Sequence, residues 1–375
     1  MAGPESRPGA AGRREPPAEG ALLSGIRVLD LSIWRPGPYA TQLLVELGAE
    51  VLKVEPPGGD PMRVFPTLFG VLNAGKRAVA VDLKEASARD AVLERAASAD
   101  VVVEGFRPGV VDRLGVGDAA VREKNRAVVY CSVSGYGQDG PLRLLPGHDL
   151  NYQAWAGAVE PRPGSDDAPV VGRPPIADLA GGSYAALAIS AALVRRERRG
   201  EGERIDVSMT DILATWTGAL PPLIMSDGQS LGDLPGYGTF ATADGGWIAL
   251  GVLSEDGAWA DLVRALGLDD AASLGFAERV ALGKQLNARI VEAIGDSRRD
   301  EVVAALVEAG VPVSPVLSQQ EMLGAELFRR RGTVADGPDG EAVMRHPVRY
   351  DRHPVRAPRD VPPLASGVDN FPAWR

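Results

Sequence analysis

Two short segments carry the residue types that could do chemistry. They are Pro146-Gly147-His148-Asp149-Leu150-Asn151-Tyr152 and, thirty residues after the histidine, Asp178 within Ile176-Ala177-Asp178-Leu179-Ala180-Gly181-Gly182. Together they offer one imidazole and one carboxylate, each beside glycines that let a ligand approach the backbone. That is the minimum equipment for moving a proton on and off a carbon. The chain has three histidines in all, and His346 and His353 are each followed by proline in an Arg-rich C-terminal segment, where they read as loop residues. Asp149 reads as a residue that orients His148 or a neighbouring group. Asp178 taken alone reads as a helix cap, since aspartate is among the preferred N-cap residues.

The elements that must position these groups follow from hydrophobic periodicity. Ile26 to Leu31, Val51 to Val54, Ala78 to Leu83, Val101 to Val103, Ala127 to Ser132 and Arg204 to Met209 are β-like runs. Helical spacing separates several of them, at Tyr39 to Leu47 and Ala86 to Ala97. This alternation predicts an α/β fold with a parallel sheet covered by helices. A helix opens around Asp178, which stands where an N-cap or first-turn carboxylate belongs, and runs to Arg195, Arg196, Arg198 and Arg199 with Gly200 as its stop. Asp211 to Met225 reads as a helix broken by Pro221-Pro222. A second unit begins with strands at Thr239 to Thr242 and Trp247 to Leu253, continues with helices at 256–266, 286–295 and 299–309, and ends near 329. The expected organisation is a disordered tail over 1–22, a large domain over 23–225 completed by about 332–375, and a linker with a small α+β domain over 226–331.

Composition narrows the function classes. At 375 residues the chain is longer than a single core usually supports, which predicts two domains. One cysteine, Cys131, excludes an intramolecular disulfide and speaks against a thiolate metal site, so no metal is expected and a cytoplasmic location is. A net charge of −10 argues against nucleic-acid binding, although a local cluster of cations could hold a small anion. The most apolar helical stretch, Leu179 to Val194, is interrupted by Gly181, Gly182 and two serines and reads as a buried helix, so no membrane is expected.

Three familiar motifs fail. Gly70-Val71-Leu72-Asn73-Ala74-Gly75-Lys76 matches the start of a phosphate-binding P-loop, but Arg77 follows where Ser or Thr would hold magnesium, and a strand follows where a helix should. No G-x-G-x-x-G follows the first strand, and no G-x-S-x-G is present.

A different series of motifs is specific. Leu23-Ser24-Gly25-Ile26-Arg27-Val28-Leu29-Asp30-Leu31, Gly37-Pro38, Leu47-Gly48-Ala49-Glu50-Val51, Lys53-Val54-Glu55-Pro56-Pro57, Gly75-Lys76-Arg77, Val81-Asp82-Leu83-Lys84, Phe106-Arg107-Pro108-Gly109-Val110 and Ser134-Gly135-Tyr136-Gly137-Gln138 together resemble the family III CoA transferases (CaiB/BaiF). Within that family Gly147-His148-Asp149-Leu150-Asn151-Tyr152 resembles the α-methylacyl-CoA racemase branch. The resemblance implies a large Rossmann-like domain with a parallel sheet plus a smaller domain, an interlinked homodimer, and coenzyme A as part of the substrate with no prosthetic group. It implies an acyl-CoA contact at Val81, Asp82, Leu83, Lys84, Gly105, Phe106, Arg107, Arg113, Gly147, Asp149, Leu150, Asn151 and Tyr152, with Lys84, Arg107 and Arg113 suited to phosphates. It also implies a carboxylate at Glu255 that pairs with the catalytic histidine. Where some members offer a nucleotide-binding arginine this chain has Pro56, which leaves Lys53 or Arg77 to replace it.

Racemising a 2-methylacyl thioester needs a base on one face of the α-carbon and an acid on the other, roles open to His148 and Asp178. The gap between an imidazole and such a carbon acid is more than about 14 kcal/mol, so the enolate must be stabilised strongly. Backbone N–H groups at the helix start around Asp178 are the expected source. Two alternatives remain: a CoA transferase in which Asp178 is a nucleophile that becomes an aspartyl-CoA thioester, and an acyl-CoA-binding protein without chemistry. The transferase expects a glycine tract near Leu231 to Gly236, which is sparse.

Overall fold

The computed structural model describes residues 20–160, 168–219, 234–337, 340–353, 355 and 360–375. Most of the N-terminal tail, Pro221-Pro222 and Leu231 to Asp233 lie outside the described residues. The chain forms two compact units, the first from the described residues of 1–160, 169–219 and 346–375, the second from those of 161–168 and 220–345.

The first unit is built on strands β1 (Arg27–Asp30), β2 (Glu50–Glu55), β3 (Arg77–Ala80), β4 (Val101–Glu104), β5 (Val129–Ser134) and β6 (Glu203–Ser208), with a short C-terminal strand Ala365–Ser366. These make one seven-stranded sheet in the order C-terminal strand, β3, β2, β1, β4, β5, β6. Every neighbouring pair is parallel. Apolar side chains leave both faces, as a parallel sheet covered on both sides requires. Val28, Val101, Val103 and Cys131 face one way into a core with helices α1 (Pro36–Glu46), α7 (Ile176–Arg199) and α8 (Met209–Thr217). Their neighbours Leu29, Val102 and Tyr130 face the other way, toward α3 (Ala86–Ala96) and α5 (Asp118–Lys124). Helices α2 (Pro66–Asn73), α4 (Val110–Arg113) and α6 (Asp149–Trp155) complete this unit.

The α1 to α7 contact matters most for the site. A Cβ placed at Gly182 would stand 2.7 Å from the Pro36 carbonyl oxygen, and one at Gly181 would stand 2.6 Å from Met209 Cγ. Gly182 therefore lets α1 and α7 meet backbone to backbone, and Gly181 makes room for the Met209 side chain. Helix α7 has Pro175 as its N-cap, so Asp178 is a first-turn residue and not the cap, and Gly200 closes the helix in the left-handed region (φ 72°). By length and composition α7 could cross a membrane, but half of its most apolar window is buried within the fold, with Ala177, Ala185 and Ile189 in the core.

Some expected boundaries move for local reasons. Helix α8 begins at Met209, ahead of the expected Asp211, because the Ser208 hydroxyl caps it by accepting from the Asp211 N–H at 3.2 Å. Strand β3 ends at Ala80 because the chain then turns, with the Lys84 N–H donating to Asp82 Oδ1.

The second unit holds a three-stranded antiparallel sheet of β7 (Tyr237–Ala241), β8 (Trp247–Gly251) and β9 (Val313–Pro315). Its core gathers Ile248, Trp259, Ile290, Ile294 and Leu306 from β8 and from helices α9 (Asp256–Ala265), α11 (Gly283–Gly295) and α12 (Arg299–Glu308). The short α10 (Phe276–Ala281) contributes Arg279, whose buried guanidinium pairs with Asp256 at 2.8 Å and lies over the Trp259 ring. Helices α13 (Gln319–Gly324) and α14 (Glu326–Arg331) and a hairpin of β10 (Val334–Asp336) and β11 (Ala342–Met344) close the unit.

Candidate active site

In the first unit a cleft of about 410 Å³ is lined by both members of the expected pair, His148 and Asp178, together with Trp34, Phe106, Arg107, Tyr136, Asn151, Tyr152 and Met209. It lies at the carboxyl ends of the parallel strands, the usual ligand position in an open α/β sheet. His148 is the N-cap of α6. Its backbone N–H donates to Asn151 Oδ1 at 2.9 Å, so capping is done by the asparagine and the imidazole stays clear of it. The ring meets Trp34 edge to face, with centroids 6.5 Å apart.

Asp178 is 17% exposed and has Arg35 Nε 3.6 Å from its Oδ2. Burial, reinforced by the charge of Asp149 and opposed by Arg35, pushes its carboxyl up to about 6. A carboxylic acid at that value exchanges its proton readily near neutral pH. Burial and the nearby Asp178 push the Tyr152 phenol up to about 12, so it stays a hydrogen-bonding hydroxyl, donating to the Gly147 carbonyl.

Three sequence-based expectations need correction. First, the backbone N–H groups at the start of α7 are not open to a substrate oxygen. Asp149 Oδ1 accepts from the N–H of Ala177 at 2.7 Å and of Asp178 at 3.1 Å, while its Oδ2 accepts from Gln153. Asp149 thus ties α6 to α7 and tunes Asp178, and it does not line the cleft. Second, Gly147 and Gly135 serve packing besides lining the cleft: a Cβ on Gly147 would stand 2.8 Å from the Tyr152 ring, and one on Gly135 2.2 Å from it. Third, neither substitute for the missing nucleotide cation is available. Lys53 is fully buried, bonded to Asp60 and the Ser32 carbonyl, and Arg77 is engaged by Glu50 and the Ala373 carbonyl.

A second cavity, of about 280 Å³, is lined by Val54, Pro56, Val81, Asp82, Leu83, Lys84 and Leu114. Ile33 and Phe106 line both cavities, which are therefore neighbours. Of the residues expected to meet acyl-CoA, Val81, Asp82, Leu83 and Lys84 lie in the second cavity, and Gly105, Arg107, Gly147, Asn151 and Tyr152 in the first, with Phe106 between. Arg113 and Leu150 are exposed and line neither. Glu255 belongs to the second unit, where it is the N-cap of α9 and accepts from the Leu253 N–H at 3.0 Å.

The failed P-loop match is explained as well. Lys76 is buried against Asp30, Thr41, Asn73 and the Pro38 carbonyl, so its ammonium serves the fold. Residues that sequence reasoning missed are Trp34 and Arg35. Neither belongs to any motif, and the one available signal was their place just after β1, where a strand's carboxyl end meets the cleft.

The profile of CoA-transferase family III matches residues 23–370. The chain belongs to CoA-transferase family III. It is 31% identical to the succinyl-CoA--L-malate CoA-transferase alpha subunit of Chloroflexus aurantiacus, covering 97% of this chain and 92% of that one. It is also 31% identical to the α-methylacyl-CoA racemase of Mus musculus, covering 84% of this chain and 83% of that one. Among solved structures it is similar to Rv3272 of M. tuberculosis, with a TM-score of 0.83 at 31% identity over 95% of this chain and all of that one (100%). The family contains transferases and a racemase, and this chain's similarity reaches both.

Proposed function

We propose that this member of the family epimerises the α-carbon of a 2-methylacyl-CoA or a similar 2-substituted acyl-CoA thioester. The observation that carries the reading is the presence of the His148 imidazole and the Asp178 carboxyl on the walls of one cleft. Transfer begins with one group taking the α-proton and leaving the electron pair delocalised as an enolate on the thioester. The other group then delivers a proton to the opposite face, and the two exchange roles for the reverse direction. Asp178, at about 6, can serve as acid or base. Pantetheine would pass from one cavity to the other by Ile33 and Phe106, with Lys84 and Arg107 as exposed cations for phosphate. Coenzyme A enters as part of the substrate. The proposed assembly is a homodimer, for which Tyr184, Leu187 and Val194 on one side of α7, with Trp216 of α8, offer an exposed apolar face.

A second reading has its own support. A transferase would use Asp178 as nucleophile, and the chain is 31% identical to a CoA-transferase subunit over 97% of its length. The two separate by experiment. A single-epimer 2-methylacyl-CoA incubated in deuterated water should lose optical purity and gain α-deuterium; absence of exchange across a panel of such thioesters would sink the racemase reading. Hydroxylamine should convert Asp178 to a hydroxamate only along the transferase route.

A further inference from the structure

Trp34 is the one non-glycine position among the described residues with a left-handed backbone, at φ 64°. A bulky side chain held there stores strain on the order of 1–3 kcal/mol, and such residues persist only where their surroundings impose them. The surroundings are buried and ionic. The Ser32 N–H and hydroxyl both donate to Asp30 Oδ1, at 2.9 and 2.5 Å. Lys53 Nζ donates to the Ser32 carbonyl at 2.6 Å and pairs with Asp60 at 2.9 Å, while Asp60 Oδ1 accepts from the Trp34 N–H at 3.4 Å. Asp30, Ser32, Lys53 and Asp60 are all at most 2% exposed.

This clamp has a geometric result. On an extended segment, adjacent side chains point to opposite faces. Here the adjacent Trp34 and Arg35 reach the two members of one pair, the indole edge-to-face with His148 and the guanidinium 3.6 Å from Asp178. We propose that the Trp34–Arg35 turn is a positioning device, Trp34 fixing the orientation of the His148 ring and Arg35 that of the Asp178 carboxylate. Neither residue moves a proton itself. The proposal deepens the reading above, on which it rests for the roles of His148 and Asp178.

The charged or titratable groups that face Asp178 are Arg35 at the start of α1 and Asp149 and Tyr152 on α6, with His148 on the same cleft. Removing Arg35 leaves Asp149 as the dominant neighbour, so the carboxyl should bind its proton more tightly.

The test is made by NMR on the whole substrate-free protein, where three histidines make the His148 ring simple to resolve. In the parent its ring protons should be displaced by the indole ring current. Trp34→Leu should return them to ordinary imidazole positions and Trp34→Phe should leave them partly displaced, a graded series that survives if one variant folds poorly. Arg35→Gln should raise the titration midpoint of the Asp178 side-chain carbon by about one pH unit, while Arg35→Lys restores most of it. Turnover should fall by roughly tenfold in Trp34→Leu and Arg35→Gln, with KM for the thioester within about twofold, since positioning acts on the reacting geometry. An unmoved His148 ring in Trp34→Leu, or an unmoved Asp178 midpoint in Arg35→Gln, overturns the proposal. Because both spectra are read without substrate, they hold whichever reaction the turnover assay reveals, and failure of the racemase reading leaves them intact.

Discussion

Asp30 and Asp178 are the same side chain in the same unit under opposite electrostatics. Asp30 lies fully buried below the cleft. Burial alone would raise its carboxyl, but Lys53 and Lys76, with the Ser32 and Thr41 hydroxyls, hold it down at about 2. Asp178 stands on the cleft wall with one guanidinium at 3.6 Å and a second aspartate nearby, and burial pushes it up to about 6. Two lysines make the first carboxylate a fixed charge. One arginine set against one aspartate leaves the second poised. The ratio of countercharge to burial, and not burial itself, separates a carboxylate of the fold from one that can trade its proton.

The contrast can be broken at either end. Asp178→Asn should lower turnover by about 10²–10⁴-fold, in the deuterium-exchange or the thioester-transfer assay, because it removes a proton carrier or a nucleophile. Asp30→Asn should lower unfolding free energy in urea by about 3–5 kcal/mol, since it takes a carboxylate from buried Lys76. A parent-like midpoint would show that the lysines do not need this carboxylate.

The pH dependence of stability sharpens the comparison, because the two signs oppose. Asp178 is raised from 3.8 to about 6, so its favourable share is present below about 4 and is lost as pH rises through 6. Asp178→Asn should therefore unfold at higher urea than the parent at pH 7, by about 1–3 kcal/mol, while losing activity. Asp30 is lowered from 3.8 to about 2, so its share is present above about 4 and is lost only as pH falls through 2. A parent more stable at pH 7 than at pH 4.5, with no such rise in Asp178→Asn, would reverse the assignment of Asp178. The smallest expected effect lies in the second cavity, where Lys84→Ala should raise KM for a CoA thioester by about 3- to 10-fold with turnover unchanged.

The sheet was legible because short apolar runs such as Val101 to Val103 alternate with helical spacing, the pattern of a parallel sheet covered on both faces. His148 and Asp178 were legible because they sit in motifs. The clamp made by Asp149 was not, since the contacts that define it join residues 28 and 29 positions apart. A substrate oxygen seeking the helix-start N–H groups would have to displace this carboxylate. Trp34 was hidden for a different reason. Left-handed backbone is announced in sequence by glycine or asparagine, and here a tryptophan is forced into it by buried charges that come from separate strands and loops. Lys53 is hidden in the same way: a lysine reads as a surface cation until its partners are known.

Gly182 meeting the Pro36 carbonyl carries one more consequence. Arg35 and Asp178 stand at the starts of two helices that touch through main chain, so the spacing between these positions is set by atoms every amino acid shares. Position 35 is in effect a socket: the side chain there can be exchanged, and with it the preference of the cleft, without the scaffold having to be redrawn around the change.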